Sequence, residues 1–416
     1  MEPPEQAPGH AAIGSERDGD QRWNYALHLL GGGFLFVALQ FGNTRLVVPW
    51  IAHHLGVAYF VVALLVPALQ LGLIGAQLGV SPLIPRFALR KRPVAGFGLG
   101  LAAALLVIIG VAVGLPPALA SVVLPLCAIG FGASHGAFNV GYADLLAKTV
   151  APPHRGSLVA YRASLGGGLT LLLSLGVLML LPKVAGNHVM LLWLAVAGWI
   201  GVVLAYGALR EVPSTPVNRP ITLAELRRGF GLIGAHPWLR RLLISNALLL
   251  SVTLAIPFYA IHAATLHDPT AQNLTLFVVA TGVGLIASGV LWAGWSDRGR
   301  MAGGALLALL AGALSLAVDV VEQWHVAYFH SFVFVLLTLG EQGVIQGQIT
   351  YMADHAPPDD RPTLVGTTNA VMWTLGIGVA LVLGAVGHLH HILTPLVLLM
   401  ACNAAAAFYV LLALDP

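Results

Sequence analysis

Residues 142–159 read Tyr-Ala-Asp-Leu-Leu-Ala-Lys-Thr-Val-Ala-Pro-Pro-His-Arg-Gly-Ser-Leu-Val, and residues 351–365 read Tyr-Met-Ala-Asp-His-Ala-Pro-Pro-Asp-Asp-Arg-Pro-Thr-Leu-Val. Each stretch puts an acid, Asp144 or Asp354, at the end of a long apolar run. A Pro-Pro turn follows, and a basic residue, Arg155 or Arg361, opens the next run. The same joint at the same place in each half of the chain points to a duplicated unit.

The composition says what surrounds that unit. The chain has 416 residues, 58% hydrophobic and 9% charged, where a soluble protein carries about a quarter charged residues. A mean hydropathy of +0.85 leaves too little polar surface to cover a soluble core, so the solvent is mostly lipid. Cys127 and Cys402 both lie in apolar runs, which excludes a disulfide scaffold. The net charge of +3, with no basic patch, excludes nucleic acid as a partner.

A bilayer core takes about 20 apolar residues per helix. Residues 1–22 carry Glu2, Glu5, Glu16, Asp18 and Asp20 with prolines, and read as a disordered tail. The remainder divides at charges, Pro and Gly into twelve runs: 24–50, 57–83, 93–115, 119–147, 156–181, 188–210, 241–265, 272–296, 302–320, 325–353, 362–387 and 392–413. The first is too long for a signal-peptide core and should stay as a helix. If the tail and every second loop face the cytoplasm, that side receives Arg17 and Arg22, Arg86 to Arg92, Lys148 and Arg155, Arg210 to Arg241, Arg298 and Arg300, and Arg361. The other side receives only Lys183, while Arg45 and Arg162 fall within runs. One missing run would scramble this bias, so twelve crossings with both termini inside are expected. The chain then divides into a bundle of six over 23–210, a cytoplasmic linker over 211–240 and a second bundle of six over 241–416. In the linker, Thr222-Leu-Ala-Glu225 is a capping box. Leu226, Phe230 and Ile233 follow at helical spacing, which reads as a short amphipathic surface helix.

With two parallel halves of six helices, the sequence resembles the major facilitator superfamily of membrane transporters over roughly 24–413. That family carries a Gly-x-x-x-Asp-Arg-x-Gly-Arg signature after its second and eighth helices. This chain has Gly294-Trp-Ser-Asp297-Arg298-Gly299-Arg300 after run eight, one residue short. After run two it has Arg86, Arg90, Lys91 and Arg92 with no acid. Run five has Gly166-Gly167-Gly168 and Gly176 but no Gly-Pro pair, which sets the chain apart from the proton-driven drug antiporters. The resemblance implies an all-α integral membrane fold of two pseudo-symmetric bundles. It also implies that runs 1, 4, 7 and 10 line a central cavity.

The polar residues follow that expectation. Run 4 has His135, Asn139 and Tyr142 on one helical stripe, and run 7 has Asn246 and Thr253. Run 10 has Glu341, Gln342, Gln346 and Gln348, and run 1 has Gln40 and Thr44 at i, i+4 beside Arg45. Run 2 adds Gln70 and Gln77, and run 11 adds Asn369 and Trp373. Polar groups in hydrocarbon must be paired or wetted, so the pattern fits a water-accessible cavity. Glu341 lies midway along its run, where an ionised carboxylate costs about 2.5–3.5 kcal/mol on the lenient insertion scale. It reads as a proton carrier or substrate contact, or as a protonated acid bonded to a neighbouring helix. His135 can pair with Glu341 across the cavity or bridge two helices. Arg45, near the outer end of its run, can grip an anionic substrate group or snorkel to the surface.

Asp144, Arg155 and Arg162, with Asp297, Arg298, Asp354 and Arg361, read as charge pairs that close the inner side and part during the cycle; direct substrate contact by Arg162 is the other reading. His53, His54, His388, His390 and His391 would gather on the outer face, either as a pH-sensing or metal cluster or as residues tolerated where Lys and Arg are excluded. Without a nearby Cys or acid, no metal site is expected.

With no Walker motif, ATP does not drive the protein directly. The expected function is a secondary active transporter for a small organic solute, proton-coupled through Glu341. It would be a monomer in the bacterial inner membrane, with lipid, solute and protons as partners and no cofactor. Two alternatives stand beside it. One is a non-transporting assembly factor or sensor of the same fold. The other is an intramembrane hydrolase at Gly132-Ala-Ser134-His135.

Overall fold

A computed structural model describes residues 8–80, 83–181, 187–213, 231, 233, 236–357 and 361–414. The capping box at 222–225 lies outside the described residues, as do the side chains of Gln77, Arg155 and Arg361. Among the described residues the regular structure is helical: α1 (Pro8–Phe41), α2 (Val47–His54), α3 (Tyr59–Val80), α4 (Lys91–Gly114), α5 (Pro117–Thr149), α6 (Pro152–Leu180), α7 (Met190–Gly207), α8 (Pro237–Thr253), α9 (Ala255–Leu266), α10 (Ala271–Leu291), α11 (Asp297–Val320), α12 (Ala327–His355), α13 (Arg361–Leu389) and α14 (Leu393–Ala413). Among the described residues eleven stretches are long and apolar enough to cross a membrane, and a shorter apolar stretch, Ser164–Leu180, lies in α6.

The helices form two groups with repeating neighbours. In the first, α1 packs on α6 and α7, α3 on α5, and α4 on α5 and α7. In the second, α8 packs on α13 and α14, α10 on α12, and α11 on α12 and α14. Between the groups, α3 meets α13, α6 meets α10 and α2 meets α9, again as pairs that exchange under a pseudo-twofold axis.

Small residues let these helices touch backbone to backbone. A methyl group at Gly132 would overlap the carbonyl oxygen of Leu69, and one at Gly72 the carbonyl of Ile129, so α3 and α5 are in direct contact. Gly304 and Gly340 do the same for α11 and α12. Gly132 thus serves packing, and Ser134 lies against Gly100 of α4.

The structure departs from the sequence reading at three places. Helical backbone begins at Pro8, inside the stretch expected to be a disordered tail; Pro suits the first turn, where no amide hydrogen is needed. The tail's end is fastened to the end of α7. Asn24 exchanges two 2.9 Å hydrogen bonds with the Arg210 backbone, and Asp20 pairs with Arg210 at 2.6 Å. The first run is not one helix, because α1 stops at Phe41 and α2 starts at Val47, so Gln40 and Thr44 do not share a helical stripe. The seventh run is likewise cut in two at Leu254.

Candidate functional site

Both breaks have chemical causes. In the first, the Asn43 side chain accepts hydrogen bonds from the amides of Arg45 (3.0 Å) and Leu46 (3.2 Å), holding a polar turn in place of helix. In the second, Pro257 has no amide hydrogen, so the carbonyl four residues earlier, that of Thr253, loses its helical partner. Arg45 fills the vacancy. Its Nη2 donates to the Thr253 carbonyl and its Nη1 to Oε1 of Glu341 on α12. The Glu341 side chain is 8% exposed and that of Arg45 is 23% exposed. Arg45 therefore does not snorkel here: the polar turn carries it across to the other group.

Beside this pair lies a cavity of about 80 Å³, lined by Asn246, Leu249, Leu250 and Thr253 of α8, Gln348 of α12, and Thr368, Asn369, Met372 and Trp373 of α13. It brings together five residues of the expected polar pattern, Asn246, Thr253, Gln348, Asn369 and Trp373. Oδ1 of Asn246 and Oγ1 of Thr368 are buried without a hydrogen-bond partner among the described residues, an arrangement that costs free energy unless a ligand or water completes it.

The other expected residues scatter. Gln40 receives a 3.4 Å hydrogen bond from Thr281 of α10, bridging the groups. His135 lies against Phe131, its ring 6.2 Å away, and Glu341 takes Arg45 rather than His135 as its partner. Asn139 is exposed, and Gln342 and Gln346 are half-buried on α12. Arg162 donates to the Tyr142 hydroxyl at 2.5 Å and covers its ring at 4.8 Å.

At the face where α1 begins, here the basic face, the described ion pairs each stay within one group. Asp144 pairs with Arg90 at 2.5 Å, supplying from α5 the acid that the motif after the second run lacks, while Arg162 goes to Tyr142. Glu211, with no side-chain exposure, accepts the amides of Arg90 (2.7 Å) and Lys91 (2.9 Å) and so caps the N-terminus of α4, where a negative charge is favoured. Lys148 approaches the same carboxylate at 3.6 Å. Asp297 pairs with Arg300 at 3.2 Å and accepts from Thr350, while Arg298 reaches the carbonyls of Leu411 and Leu414 and Asp354 is exposed. Sequence reasoning missed Arg90 and Glu211; the lone acid directly after Arg210 was the available signal.

At the opposite face the groups close on each other. His188 bonds the Pro269 carbonyl at 2.9 Å, Asn187 accepts the Ala271 amide at 2.6 Å, and Trp50 meets Phe277 edge-on at 5.4 Å. The histidines there regroup. His54 neighbours His188, and His267 bonds His330 at 3.2 Å beside His262, which His391 approaches in place of the expected His53 and His54. Among the described residues no group of three or more His, Cys, Asp or Glu could hold a metal. Burial, helped by neighbouring His262 and His325, pushes His267 down to about 4.

Comparison with known proteins places this geometry. The Major Facilitator Superfamily sequence model matches residues 30–381. The uncharacterized proteins Rv2209 of Mycobacterium tuberculosis and Mb2232 of Mycobacterium bovis are each 30% identical over 395 residues, covering 90% of this chain and 74% of theirs. A mutant of the nucleoside transporter NupG superposes with a TM-score of 0.69 at 13% identity, over 94% of this chain and all of its own. A D-xylose-proton symporter superposes with a TM-score of 0.65 at 13% identity, over 95% of this chain and 97% of its own. Those two share the fold. A two-group helical membrane protein, matched by the family's sequence model over most of its length, belongs to the Major Facilitator Superfamily.

Proposed function

We propose that the protein is a secondary active transporter that moves a small organic solute by alternating access, coupled to protons at Glu341. The observation that carries this reading is the Arg45–Glu341 pair. It joins the two groups midway along α12 and touches the cavity through Thr253, which both binds Arg45 and lines the cavity. A proton on Glu341 removes the charge that holds Arg45 and weakens the link between the groups. A solute against Thr253 acts on the same link, so the two events are coupled through one guanidinium.

With twelve crossings, two bundles over 23–210 and 241–416, and both termini cytoplasmic, the basic face is the inner one. The inter-group contacts toward the histidine face then describe a state closed to the outside, with the cavity nearer the inside. We place the protein as a monomer in the bacterial inner membrane.

Proteoliposomes carrying an inward proton gradient test this. Wild-type protein should accumulate solute against its concentration, and Glu341→Gln should only equilibrate it. Unchanged gradient-driven accumulation in Glu341→Gln would overturn the coupling.

A further inference from the structure

We infer that the solute is an uncharged ring compound with hydrogen-bonding groups along its edge, as in a nucleoside or a monosaccharide. This deepens the transporter reading and rests on it. The cavity offers amides (Asn246, Gln348, Asn369) and hydroxyls (Thr253, Thr368), and no ionisable side chain lines it. The nearest charges, Arg45 and Glu341, are spent on each other. A charged solute would sit in a low-dielectric site without a counter-charge, which is costly, or would have to break the pair to obtain one.

The orphaned atoms narrow the chemistry further. Asn246 is 7% exposed and Thr368 is 5% exposed, and each holds a buried oxygen with no partner among the described residues. The Asn246 amide oxygen can only accept, so whatever completes it must bring a donor, an O–H or N–H, whereas a carboxylate or phosphate oxygen could meet only the Thr368 hydroxyl. Against these polar groups stand Trp373, Met372, Leu249 and Leu250, apolar surface suited to a ring face. The volume holds roughly half a dozen waters, which limits the solute to a small one.

The test is a thermal-shift and calorimetric series on the full-length protein in detergent. One arm uses uridine and adenosine, the other D-glucose and D-xylose, each beside charged counterparts: uridine monophosphate, gluconate and glucosamine. At least one neutral arm should raise Tm while its charged counterpart does not. Asn246→Ala should weaken that binding about tenfold. The exposed Asn369→Ala gives a second reading if Asn246→Ala fails to fold. Binding as tight or tighter by a charged counterpart, or binding by neither arm, overturns the inference. A neutral solute that binds without any flux into proteoliposomes keeps the inference and overturns the transporter reading; flux confined to charged solutes does the reverse.

Discussion

Arg45 and Glu341, 296 residues apart in sequence, form an ion pair midway along α12, because the turn that interrupts the first run carries Arg45 to the break in the seventh, where Thr253 also receives it. Neither break is damage to a regular helix. Asn43 turns the chain so that Arg45 leaves the first group, and Pro257 frees the carbonyl that receives it.

Breaking this pair from one side should therefore cost more than removing both partners. Arg45→Gln or Glu341→Gln alone leaves a largely buried charge without its partner, at about 3–5 kcal/mol. The double variant Arg45→Gln/Glu341→Gln should recover at least half of that. A double-mutant cycle on detergent melting temperatures reads it, and strictly additive losses would show that the pair contributes no coupling.

Two glycines on α5 should respond oppositely to one methyl group. Gly132→Ala drives a Cβ into the Leu69 carbonyl and should destabilise by about 1–3 kcal/mol. Gly130, with nothing within 4 Å of a Cβ, should tolerate Ala or gain up to about 1 kcal/mol from the stiffer helix. Thermal denaturation of the two variants side by side decides it.

Acid should weaken the closed histidine face. His267 titrates near 4 in the folded protein against an ordinary 6.5, so the unfolded chain binds a proton that the folded one refuses. Stability should fall as pH drops from about 6.5 toward 4, by on the order of 3 kcal/mol from this residue, and be unaffected by it above 6.5. His262 and His325 press the same way, Asp268 opposes them, and His330, bonded to its ring at 3.2 Å, and His54, bonded to its backbone, also face it. His267→Gln should flatten the melting-temperature profile over that window; an unchanged slope would remove His267 from the account.

Removing the cap on α4 should loosen the basic face of the first group. Glu211→Ala leaves the amides of Arg90 and Lys91 without their carboxylate and should cost about 1–3 kcal/mol, with Glu211→Gln losing less. Hydrogen exchange at the start of α4 should rise in Glu211→Ala before any other helix end changes.

The duplicated unit, the runs and the polar positions were legible because lipid demands length and apolarity of every crossing. Asn246, Asn369 and Trp373 stand out in the sequence as polar or aromatic positions in runs 7 and 11, and the structure brings them to one cavity. The partner of Glu341 was not legible. His135 looked suitable by depth, whereas Arg45 looked terminal until the turn at Asn43 extended the first span to His54. Pro257 carried the missing signal, since a proline inside a span always frees the carbonyl four residues back. The regrouping of His262, His267 and His330 escaped for a similar reason: a one-dimensional reading gives depth but not azimuth.

The glycine-to-carbonyl contacts of α3 with α5 and of α11 with α12 have a mechanical corollary. Surfaces seated that closely can neither slide nor swivel without steric overlap, so each pair behaves as a stiff blade. Compliance must then reside where the helical hydrogen-bond ladder is already interrupted, at residues 42–46 and at Leu254, and bending strain will concentrate at those two joints.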